Sequence, residues 1–87
     1  MNLGRIVGRV VATRKDDRLV GKRLLLMQPL VADGTPVGEP IVTVDSVGAG
    51  FSELVLWVTG KEAAVPFGME LPVDACVVGI VDRTDVG

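Results

Sequence analysis

The sequence predicts an all-β fold, a small closed barrel of five short strands with one short helix before the last of them. Three observations carry this. Apolar residues recur either with a period of two or in short uninterrupted runs, the two strand patterns. Turn formers punctuate the chain at intervals of about ten to fifteen residues. Only Lys61-Glu62-Ala63-Ala64, between Gly60 and Pro66, reads as helical, and it is a single turn.

The first strand is predicted over 2–13. Gly4, Ile6, Gly8, Val10 and Ala12 share one parity, all small or apolar, whereas Arg5 and Arg9 interrupt the apolar set on the other. Glycine on the apolar parity marks a bend or a close backbone approach, as at barrel corners. A polar turn follows at 15–18, and Gly21 ends the connection. Leu24-Leu25-Leu26-Met27-Gln28 is predicted as a strand of about five residues, stopped by Pro29. The stretch 32–40 is dense in turn formers, with Asp33-Gly34 as the hairpin signal. Ile41-Val42-Thr43-Val44 is β-branched throughout and gives the third strand.

Between this strand and the next lies Asp45-Ser46-Val47-Gly48-Ala49-Gly50-Phe51-Ser52-Glu53. Two glycines flank one alanine, so the backbone there can press close against another surface. Residues 54–58 are apolar on both faces, and Thr59-Gly60 breaks them. The loop 67–72 brings apolar residues to one end of the barrel. The last strand, 75–81, is again apolar on both sides and is bounded by Asp74 and Asp82. Three strands, a loop, a fourth strand, a short helix and a fifth strand make an OB-like order.

At 87 residues the chain is one domain, 1–87. A chain this short buries only about 60–65% of its unfolded surface. Yet 48% of its residues are apolar and 3% aromatic, more aliphatic material than one small body hides. A barrel has one inside, and its outer face normally alternates toward water. The strands at 54–58 and 75–81 do not, so their outer faces need cover, and neighbouring copies are the economical source. Leu54, Leu56, Trp57, Val77 and Ile80 are the candidate protomer-interface residues, and an oligomer is expected.

Composition also excludes. A net charge of −2 gives no electrostatic footprint for nucleic acid. No apolar run reaches the roughly 18–20 residues that cross a bilayer. The N-terminus has no basic segment ahead of an apolar core, so a cytosolic protein is expected. Cys76 is the one cysteine and there is no histidine, which removes the usual general base and a zinc site together. Cys76 sits in Ala75-Cys76-Val77-Val78 as a buried small hydrophobe. Asp45, Asp74 and Asp82 lie at strand ends, where aspartate caps turns. Gly48-Ala49-Gly50 lacks the Lys-Ser/Thr of a phosphate-binding loop. No residue is assigned to catalysis, a cofactor or a metal.

A small OB-type ligand or nucleic-acid binding module is the alternative. Such sites stack bases on exposed aromatics along a basic groove, and this chain offers only Phe51, Trp57 and Phe67. Its cations Arg5, Arg9, Arg14, Lys15, Arg18, Lys22 and Arg23 crowd the first quarter. They form a solvated face or pair with an acidic neighbour.

Five stretches carry a family likeness: 4–15 (Gly-Arg-Ile-Val-Gly-Arg-Val-Val-Ala-Thr-Arg-Lys), 21–30, 44–50 (Val-Asp-Ser-Val-Gly-Ala-Gly), 60–64 (Gly-Lys-Glu-Ala-Ala) and 72–82. Together they resemble the bacterial microcompartment vertex proteins, the pentamer subunits of ethanolamine-utilisation compartments and carboxysomes. The resemblance implies a homopentamer that caps the fivefold vertices of a polyhedral shell in the bacterial cytoplasm. Its partners would be hexameric and pseudohexameric tiles, and it would have no catalytic role, cofactor or nucleic-acid partner. By the same resemblance Ser46, Val47, Gly48, Ala49 and Gly50 border the fivefold axis and its central opening. Gly60, Lys61, Glu62, Ala63 and Ala64 would contact neighbouring hexamers.

Overall fold

The computed structural model describes residues 2–12, 16–60 and 74–82. Five strands, β1 (Asn2–Val10), β2 (Arg23–Leu30), β3 (Ile41–Asp45), β4 (Leu54–Thr59) and β5 (Ala75–Val81), close into a barrel in the order β1-β2-β3-β5-β4. All neighbours are antiparallel except β3 and β5, which run parallel. That seam is short. It pairs Val44 with Cys76 and Asp45 with Val77, and Ser46 extends it by donating both its N–H and its hydroxyl to the Val77 carbonyl, at 3.2 and 2.7 Å.

The expected glycine approach is present at Gly4. A Cβ there would collide with Met27 Sδ and stand 3.1 Å from Trp57 Cδ1, so only hydrogen fits where β1 crosses Met27. Ile6, Leu25, Met27, Ala49, Val55 and Val77 form the inner core, with Ile41 and Trp57 packed against it. Fully buried Val, Leu, Ile and Met side chains contribute about 1.5–3 kcal/mol each.

A second cluster joins Leu19, Leu24, Val44, Val58 and Cys76, with Val10 and Val78 at its margin. Successive side chains of a strand point to opposite faces. Leu24 and Leu25 therefore lie on opposite sides of the barrel wall, as do Cys76 and Val77. The outer face of this end of the barrel is thus covered within the protomer, in part by Leu19.

Two register irregularities build this arrangement. One falls between Ile6 and Gly8, where Val7 is extra. Before it, even-numbered side chains of β1 face inward. After it, Val10 pairs with Leu24 on the outer cluster. The second leaves Val78 extra on β5, opposite Leu56 and Trp57. Bulges of this kind bend a strand and raise its local twist, which closure requires.

Several details differ from the sequence reading. β1 ends at Val10 rather than 13. β2 continues through Pro29 to Leu30, still paired with β1. Its pairing with β3 has already ended at Met27 and Ile41, and Pro29 turns its edge to that open side, where its carbonyl accepts from Val37 and no ladder needs the missing N–H. The polar turn holds a 3-10 helix, Asp17–Leu19, N-capped by the Asp16 side chain. The helical turn expected at 61–64 and the loop 67–72 lie outside the described residues.

Candidate functional site

β3 ends by delivering Asp45 to the start of the glycine loop. Its side chain is 1% exposed, and an isolated carboxylate there would be costly. It is instead surrounded by donors. Oδ1 accepts from the N–H groups of Val47 (3.1 Å) and Gly48 (3.2 Å), and Oδ2 accepts from those of Gly48 (3.0 Å) and Ala49 (3.1 Å). Arg23, paired across the sheet with Asp45, donates Nη1–H to Oδ2 at 2.9 Å. Hydrogen bonds to a charged group are roughly twice as strong as neutral ones, so this side chain dictates the loop's path. Gly48 takes φ +82° in it.

A second carboxylate closes the far side. Glu53 accepts from the Gly50 N–H, while its own N–H donates to the Gly50 carbonyl at 3.1 Å. Ser52, at φ +69°, turns the chain back. Its N–H donates to the Ile6 carbonyl at 2.8 Å, and its carbonyl accepts from Arg5 Nη1–H at 2.7 Å. Phe51 projects from the tip and is 74% exposed. The product is a stiff loop of small residues, tied to β1, β2 and β5 at once.

The predicted loop residues separate here. Val47 and Gly48 face outward, and Ser46 is spent on the β5 seam. Ala49 is wholly buried in the inner core, so it offers its own protomer a methyl and a neighbour none. Of the interface candidates, Leu54 and Leu56 pair with Arg5 and Leu3 on the outer face and are half-buried, while Ile80, opposite the inward Val55, is exposed. Val77 is corrected: it is wholly buried in the inner core and its side chain cannot serve an outer interface. Trp57 also packs inward, with its indole N–H donated to the Leu3 carbonyl at 2.9 Å. Gly60 takes φ +63° and donates its N–H to the Asp74 carbonyl at 3.1 Å. Residues 61–64 lie outside the described residues.

The hydrogen bonds from Arg18 hold Asp16 at about 2 rather than 3.8, and hydrogen bonds from the Thr35 side chain and then its N–H hold Asp33 low. Burial pushes the Cys76 thiol up, away from reactivity. Among the described residues no group of three or more His, Cys, Asp or Glu is placed to hold a metal ion.

A family model described as ethanolamine utilisation protein EutN/carboxysome matches residues 1–82. The chain belongs to that family. Among its relatives, the microcompartment shell vertex protein PduN of Salmonella typhimurium is 47% identical over 94% of this chain and 96% of its own length. The shell vertex protein EutN of the same organism is 41% identical over 100% of this chain and 89% of its own. Among solved structures, the GrpN pentameric microcompartment shell protein from Rhodospirillum rubrum superposes with a TM-score of 0.90 at 39% identity, covering all of both chains. The EutN/CcmL relatives are thus shell vertex proteins, and the barrel described above is their fold.

Proposed function

We propose that this chain is a non-catalytic structural subunit, forming homopentamers that cap the fivefold vertices of a bacterial microcompartment shell in the cytoplasm. The observation that carries this is the match, end to end and at natural spacing, to shell vertex proteins. The site supports it through its rigidity. Five copies meeting at an axis need identical, unyielding tips, and the Asp45 and Glu53 carboxylates supply one. In this reading Ser46, Val47, Gly48 and Gly50 border the axis, with Ala49 holding the loop down from inside. Leu54, Leu56 and Ile80 take part in the interface between copies, and residues 60–64 meet the hexameric tiles. The contacts are heterologous and close into a ring, and a pentagon among hexagons gives the curvature that seals a shell.

The test combines native mass spectrometry of the purified chain with electron microscopy of shells assembled from hexameric tiles with and without it. A particle of five times 9.1 kDa and shells that seal only in its presence are expected. A monomer, or shells that close equally well without it, would overturn the proposal.

A further inference from the structure

We propose that residues 31–40 of one copy dock, Glu39 foremost, into the basic cleft between the end of β1 and the start of β2 of the next copy. The inference rests on the ring assembly proposed above and names one of its contacts.

The loop 31–40 is exposed at every position and is nevertheless fixed. The Val31 N–H donates to the Thr35 carbonyl (2.9 Å), Gly34 N–H to the Val31 carbonyl (2.9 Å) and Val37 N–H to the Pro29 carbonyl (3.0 Å). The Asp33 carboxylate accepts from Thr35 N–H at 2.8 Å, and Gln28 Nε2 reaches the carbonyls of Val37 and Gly38. Ordering a backbone costs about 1–2 kcal/mol per residue, and only partial burial offsets it here, since Val31 and Val37 keep 44% and 49% exposure. The loop carries two acids, Asp33 and Glu39, and two exposed valines, Val31 and Val37.

At the other end of β2 the chemistry is inverted. Beyond the pairing of Val10 with Leu24 the strands part around a cleft of about 270 Å³ lined by Arg9, Val11, Lys22 and Arg23 among others, with no acid among the described residues of its lining. That volume falls just below the roughly 300–1,000 Å³ of small-molecule sites and suits a side chain. Val11 and Val20 are exposed at or beside it. Arg23 shares its charge with Asp45, whereas Arg9 has no hydrogen-bond or ion-pair partner among the described residues. An acidic loop flanked by valines thus faces a basic cleft flanked by valines.

The two cannot meet within one molecule. They stand at opposite ends of β2, eight residues long, roughly 23 Å apart at about 3.3 Å per residue. Contact between unlike patches on successive copies is the heterologous kind that closes a ring.

Charge reversal tests this. Native mass spectrometry over a dilution series compares the wild-type chain, Arg9→Glu, Glu39→Arg and the double variant, with circular dichroism confirming the fold. Arg9→Gln and Glu39→Gln serve if a reversal fails to fold. Each reversal should raise the concentration at which the ring dissociates about tenfold, and the double variant should recover most of that. Reversals without effect, or a double variant no better than the worse single one, would overturn the contact while leaving a wild-type pentamer intact. A wild-type chain that forms no pentamer would instead remove the assembly beneath it. Saturable binding of inorganic phosphate at Arg9 in the intact ring would also overturn the contact, because the cleft would then be vacant.

Discussion

The loop after β3 and the loop after β2 are both rich in turn formers, and they are fixed by opposite means. In the first, a buried carboxylate gathers three backbone N–H groups and a guanidinium, and Ala49 is drawn into the core. In the second, turn bonds and an amide, Gln28 Nε2, hold residues that all remain exposed. Coupled to the core, the first loop cannot change shape without disturbing the barrel. The second can loosen by itself. The proposed vertex role would use both kinds, the first as an unmoving tip and the second as a surface that adapts to its neighbour.

Asp45→Ala breaks the comparison most severely. It leaves Arg23 unpaired and three loop N–H groups without their acceptor. Arg23 is 45% exposed, so water takes up its charge, and the loss comes from the three N–H groups, about 1–3 kcal/mol for each that stays buried without an acceptor. Denaturant unfolding at fixed protomer concentration should show that loss, and Asp45→Asn, which keeps one oxygen, should lose about 1–3 kcal/mol. An Asp45→Ala barrel of near-normal midpoint would mean that the loop holds its shape without the carboxylate.

A paired glycine substitution sharpens the contrast. Gly48 and Gly34 sit at φ +82° and +91°, each with open space where a Cβ would go, so strain alone is tested. Alanine at a left-handed position costs on the order of 1–2 kcal/mol. Gly48→Ala should show the full cost in thermal unfolding, because three bonds forbid relaxation. Gly34→Ala should show clearly less. Equal losses would mean that both loops are equally rigid.

Much of this was legible in the sequence. The period of two in β1, the Asp33-Gly34 turn and the β-branched run of β3 placed strands that the barrel contains. What escaped depends on contacts rather than on pattern. Nothing in Arg5-Ile6-Val7-Gly8 marks Val7 as an extra residue, so the parity of β1 reads as unbroken while Val10 in fact crosses to the outer cluster. Leu24 beside Leu25, and Cys76 beside Val77, read as surplus apolar surface awaiting another copy. The protomer covers part of that surface itself, through Leu19 and Val58. Asp45 reads as a turn cap, and it is one. Its burial and its bond to Arg23 required the partner strand to be in place. Glu53, three residues after Gly50, carried a legible spacing for a reciprocal cap, but only the fold shows that it is used.

The mildest test concerns Gln28. Its Nε2 donates to the carbonyls of Pro29 (3.1 Å), Val37 (3.2 Å) and Gly38 (3.1 Å), all near solvent, where water can replace it. Gln28→Ala should therefore lower global stability by only about 0.5–1.5 kcal/mol. Its signature is local. Loss of the clamp frees the 36–38 segment, so the Val37 amide, bonded to the Pro29 carbonyl, should exchange its proton faster. The Val44 and Val77 amides in the barrel should keep their rates, because sub-global opening of an exposed loop does not require the core to open. If all of these amides accelerate together, the loop after β2 is as coupled to the barrel as the loop after β3. Gln28 would then be a second anchor of the core rather than the clamp of an adaptable edge.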